Sequence, residues 1–207
     1  MNPYIERLKT NLLRSIEAKE ALLTDEIQWL VFQKAVDCVV RSYQLGGRLY
    51  IAGNGGSAAD AQHLAAEFVS KLARPRAPLP AEALTVDSSI LTAIGNDFGF
   101  EEVFARQIAG KATEKDVFLA ITTSGASKNL LRALEQCRAQ KIRSILFSGR
   151  QGGAARALAD LCLVAPGETT STIQEVHTVL YHSLCEAVEE AMFPVSVHRE
   201  SSVTQLS

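Results

Sequence analysis

Apolar residues at Ile5, Leu8, Leu12, Leu13, Ile16 and Leu23 recur along Tyr4–Leu23 at the spacing of one helical face. A second stripe of Ile27, Leu30, Val31, Ala35 and Val39 predicts another helix with those residues on its buried side. It runs from an N-cap at Asp25 to about Leu45, where Gly46-Gly47 stops it. Both helices precede any strand, so neither is a crossover between parallel strands. They either cover one side of a sheet or pair with a partner subunit.

From Arg48 the pattern alternates between short apolar runs and helical stretches. Strands are expected at Arg48–Ala52, Ala83–Val86, Val117–Ile121, Arg143–Ser148 and Leu161–Ala165. Helices are expected from Ser57 to about Leu72, over Ser88–Ile94 and Phe100–Gly110, from Ser127 to about Gln140, over Ala154–Ala159, and from Ser171 to Met192. Continuously apolar strands separated by helices indicate a parallel sheet covered on both faces. The expected class is therefore α/β, a doubly wound three-layer α/β/α sandwich with a five-stranded parallel sheet and N-terminal helices. It is read as a single domain over residues 1–194, with 1–46 forming the N-terminal helices and 195–207 a loose tail.

Composition narrows the function classes. The chain has 207 residues, a formal net charge of −2 and 21% charged residues, with no basic stripe of the kind nucleic-acid binding requires. No apolar run approaches the roughly 20 residues of a membrane helix, and charges interrupt Met1–Arg14, so no secretory signal is expected. Cys38, Cys137, Cys162 and Cys185 form no CxxC pair and read as reduced thiols, which points to the cytoplasm.

Two loops at strand carboxyl ends carry the candidate chemistry, since open parallel sheets bind ligands there. Gly53-Asn54-Gly55-Gly56-Ser57 allows close backbone approach, with Ser57 as N-cap or ligand contact. Thr122-Thr123-Ser124-Gly125-Ala126-Ser127 offers four hydroxyls ahead of a helix N-terminus, which suits a phosphate dianion, and Lys128 would add positive charge. Neither loop matches a dinucleotide fingerprint or a GxxxxGK[ST] phosphate loop. His63 and Glu67, at i and i+4, share a helical face, as two metal ligands or a ligand and a base require; the same spacing also suits an ordinary exposed pair. The last helix supplies Gln174, Glu175, His177 and His182, where the histidines read equally well as satisfied packing residues. Asp97, in Gly95-Asn96-Asp97-Phe98-Gly99, also fits a turn.

In combination, Gly53–Glu67 (GNGGSAADAQHLAAE), Ala93–Gln107 (AIGNDFGFEEVFARQ), Thr122–Asn129 (TTSGASKN) and Ile173–His182 (IQEVHTVLYH) resemble the phosphoheptose isomerases, or sedoheptulose 7-phosphate isomerases, of the SIS superfamily. The resemblance extends from the N-terminal helices to about Met192. It implies the SIS fold, a homotetramer with sites at subunit interfaces, and a zinc site from His63, Glu67, Gln174 and His182. Gln174 and His182 are separated by about 12 Å of helix, so joint ligation requires opposed rotamers or a second subunit. The resemblance also implies Glu67 as base and His182 as acid partner in an enediol proton transfer, Thr122, Thr123, Ser124 and Ser127 at the phosphate with Ser57 nearby, and Asn54, Asp97 and Gln174 as further substrate contacts. The chain departs from several members by carrying Lys71 where they have Arg, and Ser171-Thr172 before Ile173, which affects sugar contacts more than proton transfer. Two rivals stay open: a non-catalytic SIS scaffold that binds the replication initiator, whose relatives tend to lack the glutamate and final histidine, and a SIS isomerase or sensor for another phosphosugar.

Overall fold

The five apolar runs pair side by side into one parallel sheet in a computed structural model that describes residues 2–194. The expected tail, 195–207, lies outside the described residues. The strands are β1 (Leu49–Gly53), β2 (Ala81–Ala83), β3 (Val117–Ile121), β4 (Arg143–Ser148) and β5 (Leu161–Val164). Their spatial order is β2-β1-β3-β4-β5. The chain winds outward from β1 to β2, then returns past it to β3. The switch point therefore falls between β1 and β3, whose registers run from Leu49 opposite Val117 to Gly53 opposite Ile121. Ligand crevices form there in open α/β sheets.

Among the described residues seven α-helices flank the sheet: α1 (Pro3–Leu23), α2 (Glu26–Gln44), α3 (Gly56–Val69), α4 (Ser88–Phe98), α5 (Ala105–Lys111), α6 (Lys128–Ala139) and α7 (Thr170–Met192). Alternate strand residues face opposite sides. Leu49, Ile51, Leu119 and Ile121 join one core with Leu64, Phe68, Val176 and Leu184 from α3 and α7. Tyr50, Ala52, Phe118 and Ala120 join another with Ile108, Leu130 and Leu134 from α5 and α6. Asp25 caps α2, accepting from the Gln28 N–H at 3.0 Å. Gln28 in turn accepts from the Val164 N–H at 2.8 Å, tying α2 to the edge strand β5.

Several elements differ from expectation. β2 lies at 81–83 rather than 83–86, and α4 continues through the whole Asn96-Asp97-Phe98 stretch. The expected helix over 100–110 divides into a single 3-10 turn and α5, while Ala154–Ala157 is 3-10 rather than α-helical. Ile27 and Leu30 are exposed, as are Ile5, Leu8, Leu12, Leu13 and Ile16 on α1. On α2 the expected stripe is buried at Ala35 and Val39, joined by Tyr43, and only its N-terminal end, Ile27 and Leu30, faces outward; on α1 the chain's own core takes Ser15 and Ala18 instead of the apolar stripe. Among the described residues no helix is long and apolar enough to cross a membrane.

His177 packs on the sheet side of α7 beside Phe147, fully buried, with neither ring nitrogen hydrogen-bonded. It is a packing residue, but an unsatisfied one. Burial lowers its pKa from 6.5 to about 4, against a smaller opposing influence of the Ser148 backbone. The unfolded chain takes up a proton as pH falls through 6.5, whereas the folded chain resists until about 4. Stability is therefore lost over that interval, by about 3 kcal/mol. The urea midpoint is expected to fall between these pH values and to do so less steeply in His177→Phe; identical slopes would assign the loss to other groups.

Candidate active site

The hydroxyl loop after β3 and the glycine loop after β1 meet above the switch point. Together with α7 they enclose a cavity of about 200 Å³ lined by Asn54, Gly56, Ser57, Thr122, Thr123, Ser124, Ser127, Thr170 and Gln174. The sheet positions Thr122 directly, because its N–H donates to the Phe147 carbonyl at the end of β4. Gly125 then turns at φ +65°, and an added Cβ there would lie 1.9 Å from the Gly152 carbonyl oxygen, so only glycine lets these loops pass. The Thr122 hydroxyl accepts from the Gly125 N–H and the Ser124 hydroxyl from the Ala126 N–H. Both hydroxyl protons remain available to a ligand.

Three helices begin at this cavity: α3 through Gly56 and Ser57, α6 beyond its N-cap Ser127, and α7 at Thr170. No side chain in the lining is charged. Attraction for an anion therefore comes from three positive dipole ends and neutral donors. Ser127 spends no side-chain bond on capping α6. Ser57 is buried inside α3 rather than serving as its N-cap, which is Gly55. Lys128 lines the neighbouring cavity with Gly99, Phe100 and Glu101, not this one. The start of α7 falls within one residue of the expected Ser171, but the place of that helix end and of Thr170 on the cavity wall is not signalled by the sequence pattern.

Asn54 and Asn129 exchange two amide hydrogen bonds of 2.9 and 2.8 Å, bracing one loop against the other. Asn54 thus reaches the cavity wall, with its amide engaged by Asn129. The Gln174 amide lies against Gly56, where an added Cβ would come within 2.3 Å of its nitrogen.

A second group forms between α3 and α7. His63, Glu67 and His182 present ligand atoms all within 4.8 Å of one another. His63 Nε2 and Glu67 Oε1 are 3.0 Å apart, and the His63 and His182 rings meet edge-on at 5.1 Å. His63 Nδ1 faces the Tyr181 hydroxyl at 3.1 Å, which fixes the ring so that Nε2 points at the carboxylate. Asp60, one turn before His63, is half-buried; burial raises its pKa, with His63 and Tyr181 acting in the opposite sense. Tyr181 and Asp60 were not singled out from sequence. Two imidazoles and a carboxylate at this spacing suit a divalent metal, with zinc among those that accept such a donor set.

In this chain Gln174 lies with the hydroxyl cavity rather than with the histidines. Gly56 and Glu67 are separated by about 16 Å along α3. Asp97 joins neither group: it is exposed, accepts from Asn96 at 2.8 Å, and lines a separate surface cavity with Phe98 and Arg106. The helical continuation of α4 carries it there.

Comparison with known proteins bears on the family and the fold. A SIS domain model matches residues 10–149. The chain is 46% identical over 193 residues to the phosphoheptose isomerase of Aneurinibacillus thermoaerophilus, covering 93% of this chain and 96% of that protein. It is 47% identical over 193 residues to phosphoheptose isomerase 2 of Campylobacter jejuni, covering 93% and 94%. Among solved structures it superposes on a phosphoheptose isomerase from Neisseria gonorrhoeae with a TM-score of 0.84 at 36% identity, covering 90% of this chain and 99% of that one. The corresponding enzyme from Francisella tularensis gives 0.86 at 33% identity, with 90% and 98% covered.

Proposed function

Because this chain belongs to the phosphoheptose isomerases of the SIS domain family, we propose that it interconverts sedoheptulose 7-phosphate and D-glycero-D-manno-heptose 7-phosphate. The product would feed nucleotide-activated heptose synthesis and, through it, lipopolysaccharide. The observation that carries the reading is the meeting of Glu67 with His63 and His182 from two separate helices.

The reaction moves one proton between neighbouring carbons. A base removes it from C1 of the ketose, an enediol forms, and a proton returns to C2. The developing oxyanion needs a donor. Glu67 is assigned as the base that removes and returns the proton, using the carboxylate oxygen not engaged by His63. His182 is assigned as the acid that serves the sugar oxygen. Thr122, Thr123, Ser124 and Ser127 hold the phosphate, with Ser57 and Gln174 beside it, so that remote binding energy orients the reacting end. Asn54 and Asp97 are proposed as sugar contacts, Asp97 only from a subunit arrangement that brings it to the site.

His63, Glu67 and His182 would hold zinc, leaving a position for Gln174 or substrate. The bound ion would supply Lewis-acid polarisation of the carbonyl. The axial distances along α3 and α7 favour a site completed across subunits, with Gln174 joining from a neighbour. The exposed stripes on α1 and α2, including Leu8, Leu12, Ile16 and Leu30, support a homotetramer assembled through these helices. Four free thiols support a cytoplasmic location. The scaffold reading loses ground because Glu67 and His182 are both present and close together.

Turnover of sedoheptulose 7-phosphate by purified protein with zinc, followed by NMR, tests the proposal; no aldose formation, with tight binding to a replication initiator instead, would favour the scaffold. Thr123→Val combined with Ser124→Ala removes two donors to a charged group, each worth about 1.5–3 kcal/mol. The Michaelis constant is expected to rise by at least about 100-fold, with kcat less affected. An unchanged Michaelis constant would place the phosphate elsewhere.

A further inference from the structure

Arg76 and Glu189 form an ion pair that neither the proton transfer nor the anion cavity uses. Both side chains are 1% exposed, and Arg76 Nε donates to Glu189 Oε1 at 2.7 Å. Taking two ions out of water is costly, and a buried pair is weak as a stabiliser compared with apolar packing. Its connections indicate a different use. Arg76 Nη2 donates to the carbonyl of Glu67 at 2.8 Å, and Nη1 to the carbonyl of Phe68 at 2.7 Å. The guanidinium thus closes the last turn of α3 at the residue whose side chain carries the carboxylate. On the other side, Glu189 accepts from the Leu72 and Ala73 N–H groups at 3.0 and 3.1 Å. Burial works to raise the Glu189 pKa, but the Leu72 N–H, Arg76 and the Ala73 N–H outweigh it, so the carboxyl sits below its ordinary value and stays charged. Glu189 lies two turns beyond His182 on α7.

We propose that the Arg76–Glu189 pair is a positioning device that sets the spacing of α3 and α7 at which Glu67 faces His63 and His182. The inference rests on reading Glu67 as base and metal ligand. A planar guanidinium reaches two carbonyls and a carboxylate at once, which an ammonium cannot do. The anchored end of α3 lies about 16 Å from Gly56, where the helix meets the anion cavity. Loosening the anchor therefore moves the carboxylate while sparing the cavity, a separation that general destabilisation does not produce.

The test uses full-length protein carrying Glu189→Gln, or Arg76→Lys, which keeps the charge and the apolar stem. Thermal melts first establish that each variant is folded at the assay temperature. The expected result is a kcat about 100-fold lower at saturating zinc, zinc affinity about 10-fold weaker, and affinity for inorganic phosphate unchanged. Folded variants with wild-type kcat and zinc affinity would overturn the proposal, and so would phosphate and zinc affinities that fall in parallel. Should Glu189→Gln melt below the assay temperature, Arg76→Lys carries the same comparison. A wild-type protein without turnover contradicts the isomerase reading, while the zinc and phosphate titrations still decide the positioning role.

Discussion

Glu67→Gln is expected to lower kcat by about 10²- to 10⁴-fold, the range over which a positioned base acts, while inorganic phosphate binds as in the wild type. The amide keeps the volume of the carboxylate but cannot accept the substrate proton. It can still satisfy His63 Nε2, now 3.0 Å from the carboxylate oxygen, so the helix face should hold its shape. The phosphate cavity lies at the opposite end of α3 and uses none of the same atoms. Kinetics and phosphate calorimetry on one preparation check both halves. Retained turnover would show that the base is misassigned.

Removal of divalent metal is the second large effect. Stripping by a chelator should reduce turnover by about 10³-fold, corresponding to several kcal/mol of charge stabilisation, and added zinc should restore it. The apoprotein should remain folded, because contacts of the chain itself already organise the three ligands: His63 bonds Glu67 at 3.0 Å and Tyr181 at 3.1 Å, and the His182 ring packs edge-on against both His63 and Tyr181. Circular dichroism before and after stripping measures the fold, and metal analysis with the isomerase assay measures the rest. Full activity in metal-free protein would leave His63, Glu67 and His182 as an acid–base group alone.

Local pattern made the scaffold legible. Continuous apolar runs between helical stretches located four of the five strands and came within a few residues of β2, and loop composition located both loops at the switch point. The i,i+4 pair His63–Glu67 was visible because one helix carries both residues; its meeting with His182 followed only from the resemblance, and the α3–α7 packing supplies the physical reason. What stayed hidden depends on distant parts of the chain. Arg76 and Glu189 are 113 residues apart, and the Asn54–Asn129 amide exchange spans 75. No periodicity announces such pairs. The N-terminal end of the α2 stripe departs from expectation for a related reason. Amphipathic spacing shows that Ile27 and Leu30 share a stripe, but not whether that stripe meets the chain's own sheet. Asp97 was placed by its turn-like neighbours, and the continuation of α4 overrode that signal.

The central claim is that a solvent-reachable carboxylate carries one proton between adjacent carbons of the substrate. The Glu67 side chain is 20% exposed and contacts a half-exposed imidazole, so its proton exchanges with water. NMR of the reaction run in deuterium oxide reads this directly. Aldose product carrying solvent deuterium at C2, lost together with turnover in Glu67→Gln, is the expected result. Aldose formed by Glu67→Gln at the wild-type rate, with solvent deuterium still entering C2, would contradict it.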